Sequence, residues 1–190
     1  MKIEEIFGDI PKLETKRLIL RKMTLDDAKD LFEYASDPDV AKYVSWDYHK
    51  SIEDSINFIK SVIQKYEKKE VSEWGIIYKG DGKFIGTCGY VWWVPAHDRA
   101  EIAFALSKKY WNKGLITEAV EEVIKFGFEK MMLNKIMASC MIENIASRRV
   151  LEKVGMTFEG ILREHIFARG SYHDLKVYSI LRKEYCRKRG

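Results

Sequence analysis

The chain has 190 residues, of which 46% are hydrophobic and 33% charged, a composition typical of a globular protein rather than a disordered or fibrous one. No apolar run approaches the ~18 residues that span a bilayer, and the acidic start of the chain lacks the apolar core of an export signal. The formal charge of +4 is modest, and part of it lies at 182–189, where we expect a solvated, frayed terminus. Nothing that resembles a nucleic-acid motif accompanies this basic segment, so we do not expect nucleic acid as a partner. We expect one domain over 1–190, with an N-terminal extension at 1–12 and a basic tail at 183–190.

The three cysteines point to a reducing compartment. Cys88, Cys140 and Cys186 have no metal-type spacing and cannot all pair with one another. We therefore expect reduced thiols, a cytoplasmic location and no metal site, with Cys88 and Cys140 packed in the core on strands.

The first part of the chain predicts a strand followed by two helices. Residues 17–23 alternate apolar and polar side chains, as in a strand. Thr24 is positioned to cap a helix that runs to about Tyr34, before Asp37-Pro38. A second helix is predicted to start at Ser51, because isoleucines recur at helical spacing after it.

Residues 73–107 predict an antiparallel meander. The segments EWGIIYK and FIGTCGYVWWV flank the turn GDGK, which is typical of a β-hairpin. After the loop PAHD, the segment RAEIAFALS supplies a third consecutive strand.

The remaining segments predict helix, strand, helix and two strands. GLITEAVEEVIKFGFEKM is helical in pattern, KIMASCMI is a short apolar strand, and NIASRRVLEKVGM is a helix that ends near Gly155. The segments TFEGILREHIFARG and YHDLKVYSILRKEY predict two long strands. This order indicates an α/β (α+β) fold with a mixed, mostly antiparallel central sheet of about seven strands, flanked by helices.

The stretch SKKYWNKGLITEAV leaves two interpretations open on the residues alone. A glycine directly before a helix permits an anion to approach the free N–H groups of the first turn. A lone glycine at such a point is more often only a strand-to-helix turn, and the Gly-x-x-x-x-Gly-Lys-Ser/Thr pattern of a P-loop is absent.

Four segments together resemble the GNAT superfamily of acetyl-CoA-dependent N-acetyltransferases. They are ETKRLILR, AEIAFALSKKYWNKGLITEAV, IENIASRRVLEKVGM and GILREHIFARGSYHDLKVYSIL, in the family's order and at about its spacing. The chain is most similar to the branch that acetylates ribosomal-protein N-termini and to its small-amine-modifying relatives. The resemblance covers nearly the whole chain and implies the GNAT fold.

The resemblance implies a site for acetyl-CoA along the third meander strand and the two following helix starts. At the first helix start the family prefers Gln or Arg where this chain has Trp111, and a small residue where it has Ile116. Asn144 matches the family's asparagine for the pantetheine arm, although asparagine is also a good helix cap without any ligand. The implied cofactor-binding residues are Phe104, Ala105, Leu106, Trp111, Asn112, Lys113, Gly114, Leu115, Ile116, Thr117, Asn144, Ser147, Arg149 and Lys153.

Two residues are candidates for catalysis. Glu101 is the best-placed carboxylate for a general base acting through water. The alternative is a surface acid paired with Arg99 or Lys108. The resemblance puts Leu151 where many members have a tyrosine that protonates the departing thiolate, and it implies Ser147 in that role. Ser147 is otherwise a helix-surface serine, and a thiol with a pKa near ~8.5 needs little help in leaving.

The acceptor side is implied less sharply. The loop between the first two helices lines the acceptor site in the family, and here it carries Tyr43, Trp46 and His49. Trp92 belongs to the same aromatic-rich set, although aromatic side chains are usually core.

We predict transfer of acetyl from acetyl-CoA to a primary amine, such as a protein N-terminal amine, by direct attack. The alternatives are a small amine as acceptor (polyamine, amino sugar or amino acid), a non-catalytic CoA-binding module, and nucleic-acid binding through the basic tail. The edge strands of the C-terminal hairpin favour a homodimer.

Overall fold

The computed structural model describes residues 2–187. Within them, eight strands form one sheet in the order β1-β2-β3-β4-β5-β6-β8-β7. The strands are β1 (Leu13–Glu14), β2 (Leu18–Arg21), β3 (Glu73–Tyr78), β4 (Phe84–Val94), β5 (Arg99–Leu106), β6 (Lys135–Met141), β7 (Thr157–Ala168) and β8 (Ser171–Leu181). The helices are α1 (Ile3–Phe7), α2 (Ala28–Ala35), α3 (Pro38–Ala41), α4 (Ile52–Glu67), α5 (Leu115–Glu129), α6 (Ile145–Lys153) and α7 (Arg182–Arg187).

The sheet is antiparallel except where β5 meets β6. These two strands pair in parallel over Arg99–Glu101 and Lys135–Met137. Beyond that point β5 continues along β4 to Leu106, while β6 continues along β8 to Met141. We call the resulting opening between β5 and β6 the fork; Glu101 stands at its vertex.

The predicted fold class and the β3–β5 meander are confirmed. The second helix begins where its sequence indicated: Ser51 is the N-cap of α4, and the carboxylate of Asp54 accepts hydrogen bonds from the backbone N–H groups of Lys50 and Ser51. Thr24 likewise caps a helical segment, but its first turn is the 3-10 helix Leu25–Asp27, which leads into α2.

The N-terminal extension takes part in the core. The side chains of Phe7 and Ile10 are buried in the main hydrophobic cluster. The indole Nε1 of Trp74 donates a hydrogen bond of 2.7 Å to the carbonyl oxygen of Pro11. Residues 3–11 therefore cover sheet residues that would otherwise be exposed.

The prediction of about seven strands is confirmed by the eight in the described residues; the additional one is Leu13–Glu14, a two-residue strand that pairs with Leu20 and Ile19 and is too short to show periodicity. Two expectations need correction. The first predicted strand is shorter than 17–23 and spans Leu18–Arg21. The tail is not frayed up to Arg187, because α7 is anchored by Arg182, whose guanidinium donates to the carbonyl oxygens of Leu133 and Phe128. Residues 188–190 of the predicted tail lie outside the described part.

Strand β7 forms one edge of the sheet and exposes several large apolar side chains, Phe158, Ile161, Leu162 and Phe167 among them. The homodimer stays a prediction. As expected, Cys88 and Cys140 are buried on β4 and β6. Over residues 2–187, no helix has the length and apolar character that a membrane span requires.

Candidate active site

A cavity of about 510 Å³ lies at the carboxyl end of β5, between the starts of α5 and α6. It is lined by the end of β5, by the segment that leads into α5 with the first turn of that helix, by α6, and by α3 with the turn that follows it. The lining residues are Val40, Val44, Phe104, Ala105, Leu106, Tyr110, Trp111, Asn112, Gly114, Leu115, Ile116, Thr117, Asn144, Ile145, Ala146, Ser147, Arg149, Val150 and Lys153.

One wall is the segment Trp111–Gly114, which we call the glycine loop. Two of its residues adopt left-handed backbone, Asn112 with φ of 60° and Gly114 with φ of 71°. The first helical bond of α5 runs from the N–H of Glu118 to the carbonyl of Gly114, so the N–H groups before it belong to the open first turn of the helix. These donors and the helix dipole favour an anion in the cavity.

Trp111 and Ile116, the two departures from the family pattern, both have structural roles. The indole Nε1 of Trp111 donates a hydrogen bond of 2.8 Å to the carbonyl of Leu106, which ties the glycine loop to the end of β5. The side chain of Ile116 packs against the main core while also lining the cavity. Its backbone N–H remains part of the first turn of α5.

The glycine loop is held from outside by the segment before β2. The guanidinium of Arg17 donates from Nη1 to the carbonyl of Lys113 at 2.8 Å and from Nε to a carboxylate oxygen of Glu118 at 2.6 Å. Burial disfavours ionisation of Glu118, but hydrogen bonds from Thr15 and from Arg17 outweigh it and lower the pKa of that carboxyl.

The second wall begins with Asn144, the N-cap of α6. Its side-chain oxygen accepts a hydrogen bond of 3.0 Å from the backbone N–H of Ser147. Ser147 lines the cavity and also contacts the thiol of Cys140, whose pKa is raised mainly by burial. Leu151 is fully buried, so the position of the family's tyrosine belongs to the core here.

Glu101 is fixed at the vertex of the fork by two donors. Its Oε2 accepts from the indole Nε1 of Trp92 and its Oε1 from the hydroxyl of Ser139, each at 2.6 Å. The alternative ion pairs are not formed: Lys108 pairs with Asp39, and Arg99 lies over the ring of Trp92. Glu101 is outside the cavity lining, but strand alternation places it on the same face of β5 as Ala105, which lines the cavity.

The acceptor-side candidates divide into three environments. Trp92 donates a hydrogen bond to the carboxylate of Glu101 through its indole N–H. Tyr43 packs on a second hydrophobic cluster formed by Met141, Ala168 and Leu175. Trp46 contacts the ring of His49, whose Nδ1 is 2.8 Å from the hydroxyl of the buried Ser55; burial lowers the pKa of His49.

All predicted cofactor-binding residues except Lys113 line the one cavity; Lys113 contributes its carbonyl to Arg17 instead. Sequence reasoning missed Val40, Val44, Tyr110, Ile145, Ala146 and Val150. Ile145, Ala146 and Val150 were detectable from their neighbours, since Asn144, Ser147 and Arg149 lie on the same short helix. Val40 and Val44 carried no signal, because they reach the cavity through the way that α3 and the turn after it pack in the fold.

Comparison with known proteins agrees with this geometry. Residues 17–157 match the family model described as "Acetyltransferase (GNAT) domain". The chain is 36% identical over 172 residues to the uncharacterized N-acetyltransferase YoaA of Bacillus subtilis (strain 168), covering 90% of this chain and 97% of that protein. It is similar to the crystal structure of a GNAT-family acetyltransferase from Bacillus anthracis, with 32% identity, a TM-score of 0.82, and coverage of 92% of this chain and 100% of that one.

A more distant neighbour is RimL, a ribosomal L7/L12 alpha-N-protein acetyltransferase solved in complex with coenzyme A. It has a TM-score of 0.80 and 16% identity, and the match covers 90% of this chain and 98% of RimL. At that identity the likeness shows the shared fold alone. The family model and the closer relatives show more: the chain belongs to the GNAT family and is an acetyl-CoA-dependent N-acetyltransferase.

Proposed function

We propose that this enzyme transfers the acetyl group of acetyl-CoA directly to the N-terminal α-amine of a peptide or protein, with Glu101 as general base. The observation that carries the proposal is the juxtaposition of the fork, which opens at Glu101, with the cavity that begins three residues further along β5. In this arrangement the acetyl donor and the general base Glu101 lie along the same strand, β5. RimL, which shares the fold, is named for a protein N-terminal acceptor.

The residues of the cavity fit the parts of acetyl-CoA. The first turn of α5 offers N–H groups to the pyrophosphate. The cationic side chains of Arg149 and Lys153 line the cavity and are available to the 3′-phosphate. The backbone of Phe104–Leu106 pairs with β4 on one side and has no pairing with β6 on the other, where the fork is open. Its groups on the open side are available to the amides of the pantetheine arm.

In the proposed reaction, an acceptor ammonium loses a proton through water to Glu101. The free amine attacks the thioester carbon, the new N–C bond forms, and the C–S bond breaks. A main-chain N–H of β5 stabilises the oxyanion that develops meanwhile. The oxyanion collapses and the sulfur leaves as a thiolate, while the attacking nitrogen loses its second proton through water to that thiolate, so that neutral amide and free thiol result. The hydroxyl of Ser147 donates a hydrogen bond to the departing sulfur.

The choice of a peptide amine rests on charge. A polyamine is best held by a cluster of carboxylates, whereas the chain carries a formal charge of +4. In the proposed site Glu101 is the carboxylate next to the fork, and both its oxygens already accept hydrogen bonds. A single ammonium matches one carboxylate better than a polycation does.

The test is a thiol-release assay with acetyl-CoA and three acceptor classes: peptides with free N-termini, polyamines and amino sugars. We expect the peptides to give the highest kcat/KM and N-terminally blocked peptides to give none. Glu101→Gln should lower kcat by about 10² or more, as for loss of a general base, with little change in coenzyme A affinity.

Glu159→Gln is the matched control, because Glu159 also accepts a serine hydroxyl, that of Ser179, on the same sheet away from the cavity. It should keep the wild-type kcat. Preference for polyamines would contradict the proposed acceptor. A wild-type kcat in Glu101→Gln would contradict the proposed base.

A further inference from the structure

Four hydrogen bonds join the segment ETKR, residues 14–17, to the region around the glycine loop: three reach Glu118 in the first turn of α5 and one reaches Lys113 of the loop itself. Thr15 Oγ1 donates to Glu118 Oε1 at 2.5 Å, and the backbone N–H of Arg17 donates to the same oxygen at 2.8 Å. The Arg17 side chain donates to Glu118 Oε2 at 2.6 Å and to the carbonyl of Lys113 at 2.8 Å. Arg17 therefore links helix α5 and the loop preceding it, although Lys113 is 96 positions away in the chain.

The bond to Lys113 acts where the loop needs support. Lys113 lies between Asn112 and Gly114, the two residues with left-handed backbone. Left-handed backbone is unfavourable for residues with a side chain, although least so for asparagine, so the contact from Arg17 helps to hold Asn112 in it. The Arg17 guanidinium lies alongside this turn, since a Cβ built on Gly114 would be 3.6 Å from its Nη2.

Charge alone does not explain the arrangement. Glu118 stands in the first turn of α5, next to where a pyrophosphate would meet the N–H groups, and its carboxylate would repel an anion. Arg17 neutralises it, so the pair adds little net charge to the cavity. The remaining contribution of Arg17 is geometric, because its planar guanidinium donates to a carboxylate and to a carbonyl at the same time. A lysine ammonium is a compact charge and reproduces this pair of contacts poorly.

We propose that Thr15, Arg17 and Glu118 form a brace that sets the glycine loop for binding the pyrophosphate of acetyl-CoA, with Arg17 as a positioning residue. This inference rests on the proposed donor site. It gives a role to the ETKR segment that the reaction itself does not use.

The test compares Arg17→Ala and Arg17→Lys with Arg21→Ala. Arg21 is a matched control, because it lies at the other end of β2 and makes a bidentate ion pair with Asp27, at 2.7 and 2.8 Å, outside the cavity. Coenzyme A affinity is measured by calorimetry. Hydrogen–deuterium exchange of the peptide covering 111–117 is measured in the free proteins, and thermal unfolding shows that each variant is folded.

Both Arg17 variants should raise the coenzyme A Kd about tenfold or more and speed exchange over 111–117. Arg21→Ala should change both by less than about twofold, whatever its loss of stability. The KM for acetyl-CoA should rise in Arg17→Lys with little change in kcat. With S-acetyl-pantetheine, which lacks the pyrophosphate, Arg17→Lys and wild type should have equal kcat/KM.

The brace is overturned if Arg17→Lys binds coenzyme A like wild type, or if Arg21→Ala weakens binding as much as Arg17→Ala. Unchanged exchange over 111–117 in Arg17→Ala also overturns it, and that measurement needs no ligand. Wild-type protein that does not bind coenzyme A would count against the proposed donor site, and the exchange experiment would still decide on the brace.

Discussion

The hydroxyl of Ser139 donates a hydrogen bond of 2.6 Å to the carboxylate of Glu101 across the fork. Ser139 lies on β6, two residues beyond the last residue that pairs with β5. The bond therefore joins two strands after their backbone pairing has ended, and together with the Trp92 indole it fixes the orientation of the carboxylate.

Ser139→Ala should lower kcat about three- to tenfold, because Glu101 loses one of its two orienting donors. The KM for acetyl-CoA should stay the same, since Ser139 is outside the cavity lining. Steady-state kinetics with a peptide acceptor measures both. Ser179→Ala removes a comparable hydroxyl, bonded to Glu159, and should leave kcat unchanged. When Ser139→Ala is added to Glu101→Gln, kcat should fall little further. If the two reductions in kcat were fully additive, the two residues would act separately.

Gly114→Ala should weaken coenzyme A binding and also destabilise the fold by about 1–2 kcal/mol, because φ of 71° is costly for alanine. Gly82→Ala provides the comparison, since Gly82 has φ of 73° with open space around it. We expect equal losses of stability by urea denaturation but loss of affinity only for Gly114→Ala. Equal affinities in the two variants would argue against an anion at this helix start.

Substitutions at Asn144 can separate a helix cap from a ligand contact. Asn144→Asp keeps the oxygen that accepts from Ser147 and loses the amide donor, whereas Asn144→Ala loses both. We expect Asn144→Asp to keep wild-type stability but to bind acetyl-CoA more weakly. Asn144→Ala should bind weakly and also lose about 1 kcal/mol of stability. Wild-type affinity in Asn144→Asp would mean that this residue is only a cap.

Acidification should destabilise the protein through His49. Burial lowers its pKa, against a weaker opposite effect of the Asp54 carboxylate, so the unfolded chain takes up the proton first. The stability contribution is complete above the ordinary pKa of 6.5 and is lost as the pH falls from there towards the lower pKa of the folded state.

Urea midpoints measured between about pH 8 and pH 5 test this. His49→Gln should flatten the decline below pH 6.5, while His97→Gln, which replaces an exposed histidine, should keep the wild-type decline. A decline of the same steepness in His49→Gln would assign it to other groups.

The sequence predicted well what depends on local pattern. The start of α4 was predicted from its capping residue Ser51, and three strands were predicted from the sequence pattern of residues 73–107. The residues of the cavity were largely predicted through the family resemblance, whereas the lone glycine before α5, taken by itself, favoured a turn without a ligand. Ser139 and Arg17 were not predictable as partners of Glu101 and Lys113, since the bonds cross 38 and 96 positions and depend on how the strands are placed. The short strand β1 was missed because two residues show no period.

The fork has a mechanical consequence for the whole sheet. Among residues 2–187, β1–β5 and β6–β8 are joined within the sheet by three residue pairs alone, so the molecule consists of two half-sheets with a short seam. A pantetheine arm that lies in the opening and hydrogen-bonds to the strand would extend the contact between the two half-sheets. It would thereby restrict their motion relative to each other. The half-sheet ending in Val94 and Leu106 carries Trp92 and Glu101, while Ser139 belongs to the other half. We therefore expect the donor to bind first and, by stiffening the seam, to hold the base and its serine in the hydrogen-bonded arrangement that they already have, ready for the incoming amine.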